Sequence, residues 1–124
     1  MADKLIVGWI DHKQAKLFWL EGDAVNREQK IKSKAHGRQD HGGWSQSRFD
    51  RQRKGDLKRY FDEVIDAIGQ WNGPVYMLGH KQALREFRSR CQEEAERLAH
   101  HLHTDNVDEM TDAEIVAYGR KHLK

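Results

Sequence analysis

Leu5-Ile6-Val7-Gly8-Trp9-Ile10 is a near-continuous apolar run, the pattern of a strand buried on both faces. Asp11 to Gln14 is polar and reads as a tight turn, after which Ala15-Lys16-Leu17-Phe18-Trp19-Leu20 returns as a second strand. Glu21-Gly22-Asp23 makes another turn, and Val25 to Ser33 alternates weakly, as a third and more exposed strand would. These segments predict an antiparallel meander. The apolar period then lengthens. Phe49, Leu57, Tyr60, Phe61, Val64, Ile65 and Ile68 recur at helical spacing and predict a long helix from about Ser45 or Gln46 to Gln70, with Ser45 as its N-cap.

Asn72-Gly73-Pro74 ends that pattern, and Val75-Tyr76-Met77-Leu78 reads as a short buried strand closing at Gly79. A second helix carries the stripe Leu84, Phe87, Cys91, Ala95 and Leu98, and His101 to Val107 is a weak strand. Thr111-Asp112-Ala113-Glu114 is a capping box, with Met110 and Ile115 at the spacing of a hydrophobic staple. The last helix therefore starts at Asp112 and runs nearly to the C-terminus. The order β-β-β-α-β-α-β-α predicts an α/β fold, a mixed β-sheet with flanking helices of ribonuclease-H-like type. Trp9, Trp19, Tyr76 and Phe87 are expected in the core, and Trp71 at a helix end.

Length and composition sharpen this picture. At 124 residues the chain is expected to form one domain, 1–124, around one core. Only 37% of residues are hydrophobic against 34% charged, and the mean hydropathy is −0.97, so the core must be economical. The net charge of +2 is uninformative, but its distribution is not. Arg27 to Arg59 holds eleven Lys/Arg against four Asp/Glu, whereas Glu86 to Lys124 holds six against nine. A basic block beside an acidic end points to a polyanion-facing side. Cys91 is the only cysteine, which excludes an intramolecular disulfide and fits a reducing compartment. The run Leu5 to Ile10 is too short for a signal peptide or a membrane span, so the expected location is the cytoplasm, as a monomer without membrane attachment.

The segment between the third strand and the long helix carries the chemistry. Residues 36–44 have no apolar periodicity and contain Gly37, Gly42 and Gly43, which predicts an irregular, mobile loop over 34–45. From Ser45 the glycines stop and Arg48, Arg51 and Arg53 recur. Arginines in the first turns of a helix oppose its dipole, so stability does not ask for them and an external anion does. Lys54, Lys58 and Arg59 extend the basic stripe, with Asp50, Asp56 and Asp62 near enough along the helix to neutralise some of it.

The run His36-Gly37-Arg38 … His41-Gly42-Gly43-Trp44-Ser45-Gln46-Ser47-Arg48-Phe49-Asp50-Arg51, with this order of elements, resembles the middle domain of archaeal and eukaryotic class-1 peptide release factors and its stand-alone bacterial relatives. In that family a His-Gly-Arg lead-in precedes a Gly-Gly-Gln tip, a serine and an Arg-Phe-x-Arg helix start. His36, Gly37 and Arg38 match the lead-in, with Gln39, Asp40 and His41 inserted before the tip; Gly42, Gly43, Ser45, Arg48, Phe49 and Arg51 match the rest. The opening Val7-Gly8-Trp9-Ile10-Asp11 and the later Val75-Tyr76-Met77-Leu78-Gly79 also fit, so the likeness covers about Lys4 to Leu123. One departure stands out: Trp44 occupies the place of the family glutamine, and the nearest glutamine is Gln46.

The resemblance implies a release-factor-like translation factor acting at the ribosomal peptidyl transferase centre or on peptidyl-tRNA, in ribosome rescue, quality control or protection. Its partners would be ribosomal RNA and peptidyl-tRNA, with any delivery protein unspecified, and it implies no cofactor and no metal. If the chain hydrolyses peptidyl-tRNA, Gly42, Gly43 and Gln46 would place the water. RNA contact would fall to His36, Arg38, Trp44, Ser45, Arg48, Arg51, Arg53, Lys54 and Lys58. The codon-reading part of full release factors has no counterpart here.

Two further readings stand beside this one. A non-catalytic module would bind rRNA or tRNA through the same residues. A ribonuclease-H-like metal nuclease would need convergent carboxylates around two metals; Asp11, Asp62, Glu63 and Asp66 are the candidates and form no clear set. His100, His101 and His103 cluster in sequence, but zinc spacing with a lone cysteine is poor. Ser45 and Ser47 lie near His41 without an orienting acid.

Overall fold

The computed structural model describes residues 4–22, 24–33 and 46–123, and for 46–53 the course of the backbone. Three strands open the chain: β1 (Lys4–Ile10), β2 (Gln14–Glu21) and β3 (Ala24–Lys32). Then come α1 (Gln46–Ile68), β4 (Val75–Gly79), α2 (Lys81–Glu94), α3 (Glu96–His101), β5 (Leu102–Asn106) and α4 (Asp112–Lys121). The sheet order is β3-β2-β1-β4-β5. β1 pairs antiparallel with β2, and β2 with β3, whereas β4 runs parallel to both β1 and β5. This is the mixed sheet with flanking helices that the element order predicts.

β1 lies at the centre because it is apolar on both faces. Ile6 and Ile10 face one way, into a core with Leu17, Trp19, Met77, Tyr60, Phe61, Val64 and Phe87 from β2, β4, α1 and α2. Leu5, Val7 and Trp9 face the other way, against Phe18, Leu20, Leu78 and Ile115 of α4. The two-residue period of the strand divides one short run between two cores. Gly119 lets α4 sit close: an added Cβ would come within 2.7 Å of both Val7 Cγ1 and Leu20 Cδ1. β3 differs from its neighbours, with only Ile31 buried.

The tight turn before β2 is organised by Asp11, whose Oδ1 accepts from the backbone N–H of Lys13 (2.7 Å) and of Gln14 (2.8 Å). Tyr60 of α1 is buried and its hydroxyl donates to the Asp11 carbonyl at 2.8 Å, fixing the helix to that turn. The capping box is present: Thr111 Oγ1 accepts from Glu114 N at 3.2 Å, and Glu114 Oε1 from Thr111 N at 2.8 Å. Met110 packs against the core cluster that contains Ile115.

Two expectations need adjustment. The helix carrying Leu84 to Leu98 is two helices, because Ala95 adopts φ −150, ψ 64 between α2 and α3. Tyr76 is only half-buried, stacked between His103 and His122 at centroid distances of 4.7 and 4.3 Å. The histidine cluster is divided: His103 stacks on Tyr76 in β5, while His100 pairs with Glu96 at 3.8 Å. Ser45 as N-cap and the mobile loop at 34–45 lie outside the described residues.

Candidate functional site

α1 begins at Gln46 with no acidic residue in its first turn and runs 23 residues. Its described core contacts start only at Leu57, eleven residues on, so the helix start lies about 16 Å along the axis from the first of them. Arg48, Arg51 and Arg53 fall on the backbone of this first stretch. Positions 48, 51, 54 and 58 follow a 3-3-4 spacing and form one row of the helix, with position 53 off it. Lys54 and Lys58, the described members of that row, are exposed, and neither pairs with a carboxylate among the described residues.

Among the described residues, neither Asp56 nor Asp62 forms an ion pair with Lys54 or Lys58. Asp56 pairs with Arg59 at 3.1 Å, which accounts for Arg59 locally. Asp62 instead reaches across to α2 and takes a bidentate hydrogen bond from Arg90, with Nε at 2.7 Å and Nη2 at 2.9 Å. Those bonds hold the Asp62 carboxyl below its ordinary range against partial desolvation, with the charges of Arg90 and Lys58 adding to the effect. Glu93 and Glu94 also lie against Arg90, at 3.9 and 3.3 Å.

The row borders a groove of about 610 Å³ between α1 and α2. Leu57 and Phe61 supply its apolar part; Lys54 and Lys58 stand on one side, and Gln82, Arg85 and Glu86 on the other. Glu86 is engaged by His12 Nε2 at 2.9 Å and by Gln82 Nε2 at 3.2 Å. Sequence reasoning missed His12, Gln82 and Arg85. They come from distant parts of the chain with no shared motif, and only the packing of α2 beside α1 brings them to one place.

Of the sequence-predicted site residues, His36, Arg38, Gly42, Gly43, Trp44 and Ser45 lie outside the described residues. Gln46 is the first residue of α1 and Arg48, Arg51 and Arg53 follow on its backbone, while Lys54 and Lys58 line the groove. The carboxylates weighed for metal chemistry do not converge. Asp11 organises its turn and Asp62 is committed to Arg90. Among the described residues no group of three or more His, Cys, Asp or Glu is placed to hold a metal. Burial raises the thiol of Cys91 to about 12, which makes it a poor nucleophile. No described helix is long and apolar enough to cross a membrane.

Comparison with known structures finds the same fold in translation proteins. Pelota of Archaeoglobus fulgidus matches at 12% identity with a TM-score of 0.65, over 95% of this chain and 31% of that one. Pelota of Thermoplasma acidophilum matches at 17% identity and a TM-score of 0.62, over 97% and 34%. The archaeal translation termination factor aRF1 matches at 15% identity and a TM-score of 0.64, over 91% and 32%. The chain thus spans about a third of the length of each. A search of curated proteins gives no match. The model of the acVLRF1 family, the Actinobacteria/chloroflexi VLRF1 release factor, matches residues 7–117, and the chain belongs to that family.

Proposed function

We propose that this chain is a release-factor-like translation factor that presents its 36–53 segment to the ribosomal peptidyl transferase centre, in ribosome rescue, quality control or protection. The observation that carries this reading is the start of α1. A long helix begins at Gln46, directly after Gly42-Gly43-Trp44-Ser45, with no acid in its first turn and with arginines at 48, 51 and 53. A helix N-terminus that carries cations where acids are favoured is suited to meet an external polyanion. His36, Arg38, Ser45, Arg48, Arg51, Arg53, Lys54 and Lys58 would contact RNA, and Gly42 and Gly43 would let the backbone approach closely.

Trp44, at the place of the family glutamine in the sequence, favours occupancy of the site over hydrolysis. An indole N–H donates but cannot accept, so it cannot reproduce the dual role of an amide toward a water and an ester. It can stack on a base, which is worth about 1–3 kcal/mol. If water is placed at the ester of peptidyl-tRNA, Gln46 would supply the side-chain amide from the first residue of the helix, together with Gly42 and Gly43.

Bacterial ribosomes carrying peptidyl-tRNA test both arms. The wild type should co-sediment with them. Trp44→Ala should weaken that binding by about 1–3 kcal/mol, and Gln46→Ala should leave it intact. Single-turnover peptide release by the wild type that disappears in Gln46→Ala would make the chain a hydrolase instead. Failure of the wild type to co-sediment would overturn the reading.

A further inference from the structure

The cations of the α1–α2 groove are unevenly matched. Its carboxylates are engaged: Glu86 accepts from His12 and Gln82, and Glu93 lies against Arg90, which also holds Asp62. Lys54, Lys58 and Arg85 are exposed and make no ion pair among the described residues. A second, shallower depression opens beside this groove, sharing Gln82, Arg85 and Glu86 with it and adding His80 and Lys81 at the start of α2. Lys81 is likewise exposed and without a carboxylate partner among the described residues. Four cations therefore follow one path, from α1 across the groove to the first turns of α2.

That path has a direction. Lys54 and Lys58 belong to the same row of α1 as positions 48 and 51, so the groove continues the basic stripe away from the helix start. Over the whole of α2 the charge nearly balances, four Lys/Arg against three Asp/Glu, but Lys81 to Arg90 holds those four against Glu86 alone. The exposed cations of α1 and α2 meet along the groove. Repeated cations spaced along a groove suit a repeated anion, and the hydrogen-bond capacity of Arg85 and Gln82 suits phosphate oxygens.

We propose that the α1–α2 groove is a track for an RNA phosphodiester backbone, with Lys81 and Arg85 as contacts additional to those of the 36–53 segment. The proposal rests on the ribosome-directed reading above, and extends the RNA footprint from the tip of α1 to the start of α2. An acidic protein segment is the competing occupant. Phosphate contact makes binding fall linearly with the logarithm of salt, by about 0.7 to 0.9 of a slope unit per phosphate neutralised.

The test compares two double variants of the full chain for binding to bacterial 70S ribosomes and to a labelled single-stranded RNA 12-mer, across a salt series. Lys81→Gln/Arg85→Gln removes groove cations, and Arg48→Gln/Arg51→Gln removes cations near the helix start. The groove variant should keep the wild-type thermal melt, bind both probes more weakly, and lose about 1.4 to 1.8 units of salt slope. A groove variant that binds like the wild type, beside a weakened Arg48/Arg51 variant, would overturn the track and spare the function. A weakened groove variant beside an unaffected Arg48/Arg51 variant would uphold the track and remove the stripe at the helix start from the interface. Displacement of the RNA by a poly-glutamate peptide at equal charge concentration would overturn it in favour of an acidic protein. A wild type that binds neither probe would overturn both readings.

Discussion

At the scale of single residues, small changes decide how closely the parts approach. Gly119 sits inside α4, where alanine would normally gain up to about 1 kcal/mol in helix propensity. The site forbids it. The new methyl would lie 2.7 Å from Leu20 Cδ1 and from Val7 Cγ1, and 2.9 Å from Val7 Cβ, which is tied to the central strand and cannot swing aside. Overpacking of this kind costs about 1–3 kcal/mol, so the strain wins. Urea denaturation of Gly119→Ala should show a lower midpoint with an unchanged slope; a variant as stable as the wild type would mean that α4 moves away freely. The glycine itself is plain in the sequence, but its role is not, because helix patterning registers only a weak helix former. The same limit applies at Trp44 and Gln46. Their types and spacing are legible and yield the family resemblance, yet residue 44 lies outside the described structure and residue 46 is known by its backbone alone.

At the scale of elements, patterning locates what is periodic and misses what interrupts without changing period. β1, β2 and β4 were legible because their apolar runs end in Asp11, Glu21 and Gly79, and α4 because Thr111 and Glu114 spell a capping box. The break at Ala95 was not. Cys91, Ala95 and Leu98 keep helical spacing across it, and both Cys91 and Leu98 join the same core. The joining of α1 to α2 was also hidden, since Asp62 has cations on its own helix and takes Arg90, 28 positions away, instead. The Tyr60 hydroxyl ties α1 to the β1–β2 turn in a comparable way. Tyr60→Phe removes the donor and leaves the Asp11 carbonyl unpaired, which should cost about 1–2 kcal/mol. Hydrogen exchange should then show faster opening of Lys13 and Gln14, whose amides bond to Asp11 Oδ1. Unchanged exchange there would mean that the turn holds itself without α1.

At the scale of the whole molecule, two carboxylates brace the fold, Asp62 between α1 and α2 and Asp112 between α4 and the strands β2 and β3, while Lys54, Lys58, Lys81 and Arg85 are left outward. Asp62 is held below its ordinary range first by the Arg90 hydrogen bonds, and Asp112 first by that of Lys16, with Lys30 adding to it. A carboxyl whose folded value is depressed adds stability above its unfolded value of about 4, and that stability is lost as pH falls through the folded value. Both side chains remain more than a third exposed, at 40% and 44%, so solvent screening limits the pair to about 1 kcal/mol in total. The alkaline side has the opposite sign. Burial raises the Tyr60 hydroxyl, with the nearby Asp11 charge adding to it, and raises Cys91 to about 12. Groups raised in the folded state favour folding below their unfolded values of about 10 and 8.5, and that advantage fades as pH rises through them. The urea midpoint should therefore be level from about pH 5 to 8, fall gently below about pH 4, and fall more steeply above about pH 9. Asp62→Asn with Asp112→Asn should flatten the acid limb, and Cys91→Ala should move the onset of the alkaline limb upward toward the tyrosine range. An acid limb that persists in the double Asn variant would place the acid-sensitive carboxylates elsewhere.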